Sequence, residues 1–425
     1  MSLLVYSVFL KIYILGIRLA ALYNPKARQW LAGRRSLPEK LAGLIRPADR
    51  VIWFHCASLG EFEQGRPVME AMRSAFPGHR ILLTFFSPSG YEVRKDYEGA
   101  DWVSYLPLDS PGMAGRFLDV VHPELVVFIK YEFWYYYLAE SARRKIPLLL
   151  VSAVFRPGQP FFRWYGALHR RMLACYSHVF VQDESSASLL ASRGLGSACT
   201  VSGDTRFDRV AAIASRAIDI PSVESFLDGA PCLVAGSTWK QDEQVLREAL
   251  ADPRLGQLRL ILAPHQLGED RLAGLEQTFP GAWRYSSLVA GPRQPGDLRD
   301  PSRVLIIDNM GMLASLYRYG RICYVGGGFT RDGVHNVLEA AVYGRPVLMG
   351  PRYQKYREAT GLIEAGGAAA IRQPEELTAR LLGLLSGPEE LARMEEASRR
   401  FVESGRGACE RVMQYIQEKR LLTSR

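Results

Sequence analysis

Residues Gly326 to Pro351 read GGGFTRDGVHNVLEAAVYGRPVLMGP, and the order of events within them decides the fold. A buried-looking strand, 321–325, runs into three glycines. His335-Asn336-Val337-Leu338-Glu339 then opens a helix that stops near Gly344, and 346–349 reads as the next strand. Strand, glycine turn, helix, strand is the unit of a parallel sheet covered by helices. Glycines at a strand end let the backbone approach a phosphate, and the helix start aims N–H groups at it. Asn336 and Glu339, three apart, share a helix face and point at one ligand, and a carboxylate there suits the two hydroxyls of a ribose. The plainer reading is a tight turn of any doubly wound domain, with Glu339 solvated.

The same rhythm extends outward in both directions. Apolar runs at 232–236, 259–263 and 304–307 precede it. A first series lies at 51–56, 81–86, 102–106, 125–129, 148–151, 179–181 and 200–203, with helices starting near Gly60, Pro88, Ser110 and Glu132. A polar segment, 206–224, separates the two series. The expected architecture is therefore two doubly wound α/β domains facing a cleft, with ligands at the carboxyl ends of the strands. The boundaries are a membrane-associated helix at 1–25, an N-terminal domain at 26–205, the linker at 206–224, a C-terminal domain at 225–400 and a last helix at 401–425.

The chain has 425 residues, 48% hydrophobic and 23% charged, the composition of a folded globular protein. Six cysteines fall without paired spacing, which argues against a disulfide framework or structural zinc. The net charge of +9 is concentrated at one end: residues 1–50 carry nine Lys/Arg against Glu39 and Asp49. Leu3 to Leu22 is apolar but for Lys11 and Arg18, two helical turns apart on one side. Apolar transfer and the two charges nearly cancel, so spanning is marginal and a helix lying in the membrane interface is the alternative. Lys26, Arg28, Arg34 and Arg35 follow, suited to anionic headgroups. Such a helix serves the membrane and no core, so its removal should unfold neither domain.

Several strand ends carry chemistry. Glu61, after His55-Cys56-Ala57-Ser58-Leu59-Gly60, starts a helix where a carboxylate serves as a general base or complements the helix dipole. Lys130 and Glu132 leave another strand end among Tyr131, Phe133 and Trp134. From Ser141 to Gln182 there is no Asp or Glu, while Arg156, Arg163, Arg170 and Arg171 interleave with Phe161, Phe162, Trp164 and Tyr165. That pattern fits an anionic amphiphile; no nucleic-acid motif accompanies it, so nucleic acid is not an expected partner. In the second series Ser237-Thr238, Pro264-His265 and Met310-Gly311-Met312 end strands on the edge that carries Gly326–Glu339. No Asp-x-Asp occurs, so no metal and no cofactor are expected.

These motifs resemble the Kdo (3-deoxy-D-manno-octulosonic acid) transferases of lipopolysaccharide assembly over nearly the whole chain. The matches are Ser58–Glu61, Glu132-Phe133-Trp134, Gly236–Thr238, Asp308–Gly311 and Gly327–Pro351. The resemblance implies an inverting glycosyltransferase of the B type on the cytoplasmic face of the inner membrane, with CMP-Kdo as donor and lipid IVA as acceptor. It implies Glu61 as catalytic base, with Glu132 and Arg206 assisting the transition state. Ser237, Thr238, Pro264, His265, Met310, Gly311, Met312, Asn336, Val337, Leu338 and Glu339 would bind CMP. Ser58, Gly60, Lys130, Arg156 and Arg163 would meet the acceptor. Three positions depart from the family pattern: His265 stands where Arg is usual, Lys130 where many members have a carboxylate, and Met312 where Glu is usual. Two other readings remain open, a B-type enzyme using another nucleotide sugar and a non-catalytic membrane-tethered binder.

Overall fold

A computed structural model describes residues 2–290 and 303–423. The chain divides into two units, one running to Arg209 and resumed from Arg406, the other from Val210 to Gly405.

The first unit is built on seven parallel strands: β1 (Val51–Cys56), β2 (Arg80–Phe85), β3 (Trp102–Tyr105), β4 (Pro123–Ile129), β5 (Leu148–Ala153), β6 (His178–Val181) and β7 (Cys199–Val201). They lie in the order β3-β2-β1-β4-β5-β6-β7. Central strands such as VIWFHC and PELVVFI are apolar on both faces because helices cover both sides of the sheet. Trp53, Phe117, Phe128 and Tyr137 fill one face, and Phe54, Phe62, Met69 and Val127 the other. The C-terminal helix Ala408–Glu418 adds Val412, Met413 and Ile416 to that second layer, and its start is held by Asp208, which accepts the Gly407 and Cys409 N–H groups at 2.7 Å.

The helix Leu3–Ala20 is long and apolar enough to cross a membrane, but it is not independent of the first unit. Tyr6 and Leu10 are buried in that unit's core. The Tyr6 hydroxyl donates to buried Asp109 at 2.6 Å, and Ser7 and Tyr136 share a 2.6 Å hydrogen bond. Asp109 also accepts the Tyr136 and Tyr137 N–H groups. The opposite face, with Leu4 75%, Ile12 63% and Leu19 58% exposed, carries the apolar surface. The expectation of a helix serving no core is thereby corrected: its spacing places a second, core-facing stripe on the same helix.

The second unit repeats the plan with β8 (Cys232–Thr238), β9 (Arg259–Pro264), β10 (Trp283–Arg284), β11 (Val304–Ile306), β12 (Ile322–Val325), β13 (Val347–Met349) and β14 (Ala368–Ala370). All are parallel, in the order β10-β11-β9-β8-β12-β13-β14. The ends of β9, β8 and β12 are therefore neighbours. The helix expected from His335 begins only at Leu338 and spans four residues, to Ala341. Between the two sheets the polar segment is helical at both ends, Thr205–Ala214 and Pro221–Leu227.

Candidate active site

In the first unit the chemistry gathers at the carboxyl ends of adjacent strands β1, β4 and β5. Glu61 is in the first turn of the helix Leu59–Ala75, which follows β1 with Ser58 at its N-cap. Its carboxylate reaches back to accept the Ala57 N–H, as a capping carboxylate does. A cap alone would keep the group acidic. Burial instead pushes its pKa up to about 8, against the opposing pull of the Ala57 and Ser58 N–H groups and Lys130. A carboxyl poised near neutrality at a strand end is equipped to take a proton.

Glu132 sits between β4 and the helix Tyr135–Arg143 and is buried. It accepts the Trp134 indole N–H at 2.6 Å and faces His55 Nε2 at 2.8 Å. The Tyr176 hydroxyl holds its backbone carbonyl. Lys130 turns the chain there with φ +68°, a conformation uncommon for a side chain larger than glycine's. Thr205, at the start of the helix carrying Arg206, donates to the Gln64 carbonyl at 2.6 Å and bonds Ser152 on β5 at 3.0 Å. Arg206 is thus tied to the helix of Glu61, and its guanidinium grips Asp204 through Nε and Nη2 at 2.9 and 2.6 Å. Gly60 follows the cap in that helix. Arg156 and Arg163, with Trp164 at 91% exposure, lie on the outside of the 154–166 loop.

In the second unit the loops after β8, β9 and β12 meet through three stacked rings. His265 stacks on both Trp239 (centroids 4.7 Å) and His335 (4.5 Å), whose own centroids are 6.4 Å apart, and the Trp239 indole donates to His335 Nε2 at 3.0 Å. Burial lowers the His335 pKa to about 4, with His265 as the next cause, so its ring is neutral. Buried Asp242 locks the same loops, accepting the N–H groups of Gly327 and Trp239 at 2.9 Å and the Tyr324 hydroxyl at 2.8 Å. Asn336 donates to Glu339 at 3.1 Å, so the two share one face, and its carbonyl oxygen accepts the Leu338 N–H. The Thr238 hydroxyl is turned inward to Glu243 at 2.8 Å, whereas Ser237 bends the strand end with φ +53°. Pro264 closes β9. Met310 is 84% exposed, and Gly311 and Met312 line a cavity of about 590 Å³ with Ile218, Ile220, Tyr285 and Leu288.

The glycines of the opening stretch serve a different contact from the one their pattern implies. A Cβ on Gly326 would lie 2.4 Å from the Ser237 carbonyl oxygen, and one on Gly328 2.6 Å from the Gly350 backbone. They allow the chain to cross itself. The Gly326 and Gly327 N–H groups are already given to Gly236 and Asp242. Sequence reasoning also passed over His55, Trp239 and Asp242, whose partners are distant in sequence. Among the described residues no group of three or more His, Cys, Asp or Glu could hold a metal ion.

Residues 31–209 match the family model described as 3-Deoxy-D-manno-octulosonic-acid transferase (kdotransferase). The chain is similar to the 3-deoxy-D-manno-octulosonic acid transferase of Bordetella pertussis, 29% identical over 396 residues, covering 89% of this chain and 90% of that protein. It is also similar to that of Aquifex aeolicus (strain VF5), 27% identical over 367 residues, covering 84% and 91%. In fold it resembles the UDP-GlcNAc 2-epimerase from Neisseria meningitidis bound to UDP-GlcNAc, with a TM-score of 0.59 over 87% of this chain and 100% of that one at 13% identity. Two doubly wound units, each on a seven-stranded parallel sheet, are the fold class that the sequence leads one to expect.

Proposed function

From a chain that carries the Kdo transferase domain in its N-terminal half, and is similar to Kdo transferases along most of its length, we infer an inverting glycosyltransferase that moves Kdo from CMP-Kdo to lipid IVA. Kdo transfer in lipopolysaccharide biosynthesis rests on those relatives. The particular donor, acceptor and residue roles are our own reading.

The observation that carries the mechanism is Glu61, a carboxyl held at a strand end with its pKa pushed to about 8. Glu61 takes the proton from a sugar hydroxyl of the acceptor as that oxygen attacks the anomeric carbon of Kdo. The bond from that carbon to the CMP phosphate breaks, and inversion follows from attack on the opposite side. The leaving phosphate gains negative charge, which Arg206 offsets; hydrogen bonds from its Nε and Nη2 to Asp204 orient the guanidinium. In the second unit Glu339, aligned by Asn336, receives the ribose hydroxyls, and the loops of His265 and Met310–Met312 enclose the nucleotide. Ser58, Gly60, Lys130, Arg156 and Arg163 meet the anionic acceptor, and the exposed face of Leu3–Ala20 lies on the cytoplasmic side of the inner membrane. The reading is tested by titrating the protein with CMP, UDP and UDP-GlcNAc. Preference for CMP supports it; tighter binding of UDP or UDP-GlcNAc would assign a different nucleotide sugar.

A further inference from the structure

The polar chain behind Glu132 does more than anchor a carboxylate. His55, fully buried in β1, has Nδ1 at 2.9 Å from the Thr84 hydroxyl and 3.1 Å from the Thr84 carbonyl oxygen. A carbonyl oxygen can only accept. The Thr84 hydroxyl has its own acceptor, the Phe54 carbonyl at 3.2 Å, and it receives the Trp53 indole N–H at 2.8 Å. Both neighbours of Nδ1 therefore act as acceptors, and Nδ1 carries a proton. At the other end of the ring, Nε2 and Glu132 Oε2 are 2.8 Å apart, so a second proton lies between them. Oε2 also accepts from the Trp134 indole N–H, which can only donate. With one proton on Nδ1 and one shared, the His55–Glu132 pair is uncharged as a whole, wherever the shared proton sits.

We propose that His55 is a positioning residue for the transfer reaction: by holding a proton against Glu132, it stops that carboxylate from opposing the ionisation of Glu61. This deepens the reading of Glu61 as base and rests on it for its bearing on catalysis. The other groups that face the carboxyls are Lys130, from the loop after β4, the buried thiol of Cys56 on β1, Glu63 on the helix of Glu61, and Tyr176 beneath Glu132. Lys130 favours the Glu61 carboxylate. Cys56 and Tyr176 are held protonated by burial. None of them can supply the proton that His55 supplies.

The test follows the Glu61 carboxyl directly, by NMR of protein labelled with ¹³C at the glutamate carboxyls, with the Glu61 resonance identified as the one lost in Glu61→Gln. The titration needs no substrate. In His55→Gln the amide can still donate to Glu132 but has no proton to lend, so the Glu61 midpoint should move upward by about one unit or more, as expected beside an uncompensated like charge. In Glu132→Gln the carboxylate and its shared proton are both removed, so the Glu61 midpoint should stay within about half a unit of wild type. A neutral imidazole with no proton on Nδ1 gives the reverse pattern: no change in His55→Gln, and a fall of about one unit in Glu132→Gln. That reverse pattern overturns the proposal. A residue of merely structural importance would alter stability and leave both midpoints in place, which overturns it equally. If His55→Gln does not fold, His55→Asn, which likewise has no proton to lend, is titrated in its place against the same two outcomes. Turnover is scored separately: wild-type protein inactive toward CMP-Kdo, with the midpoints moving as expected, would refute the substrate assignment and leave the role of His55 standing.

Discussion

Replacing Glu61 by glutamine should abolish turnover and, at the same time, make the first unit more stable. The Glu61 carboxyl has its pKa raised to about 8 in the folded chain from an ordinary 4.5, chiefly by burial. Between those two values the unfolded chain releases the proton and the folded chain keeps it, so stability falls as pH rises through that window and is flat above it. The loss amounts to roughly 3 kcal/mol by pH 7 and approaches 5 kcal/mol above pH 8, at about 1.4 kcal/mol per unit. Glutamine keeps the shape and can still accept the Ala57 N–H, and the protonated carboxyl that it replaces below pH 8 makes a neutral hydrogen bond as well, so that bond changes little. The net expectation is a gain of about 3 kcal/mol at pH 7 that vanishes near pH 4. Urea unfolding of wild type and Glu61→Gln at pH 4, 7 and 8.5, followed by far-UV circular dichroism, measures it. A variant no more stable than wild type at pH 8.5, or one with the same advantage at pH 4, would refute the reasoning that Glu61 is held protonated by its surroundings.

Other outcomes follow from the same geometry. The pH profile of kcat/KM should rise through about pH 8 as Glu61 ionises, and an acid limb near pH 4.5 would contradict that value. Glu61→Gln should lose orders of magnitude in turnover with CMP affinity nearly unchanged; activity within a few-fold of wild type would return Glu61 to capping alone. Glu339→Ala should weaken CMP binding about ten- to a hundredfold, the worth of a hydrogen bond to a charged group, and should erase the preference for CMP over deoxy-CMP. If the preference survives at the wild-type ratio, Glu339 does not touch the ribose. Removing residues 1–25 should release the protein from anionic vesicles and also lower the stability of the first unit by about 3 kcal/mol or more, because Tyr6 and Leu10 leave its core. Serine at Leu4, Ile12 and Leu19 together should weaken vesicle binding without that loss of stability, as those side chains are exposed.

How much of this was legible beforehand depended on the range of the interaction. Strands such as Val51–Cys56 were readable to the residue, because a strand buried on both faces is an unbroken apolar run. The two-residue Trp283–Arg284 and the alanine-only Ala368–Ala370 were missed; as edge strands of their sheet they need little side-chain pattern of their own. The glycines after β12 were correctly located as a turn, yet their use in backbone crossing depends on Ser237 and Gly350, which no local motif names. His55 was visible only as the last polar residue of a buried strand, since its partner Glu132 lies 77 positions away. The docking of Leu3–Ala20 was hidden for a similar reason: Tyr6 reads as one more apolar residue until Asp109, 103 positions on, is placed beside its hydroxyl.

The most direct measurement is the mass of the product. The purified protein is incubated with CMP-Kdo and lipid IVA in detergent, and the lipid is weighed by mass spectrometry while released CMP is quantified. We expect lipid carrying added Kdo, with one CMP released for each Kdo gained, and neither product from Glu61→Gln. Lipid of unchanged mass, or a gain seen only when another nucleotide sugar replaces CMP-Kdo, would contradict the account.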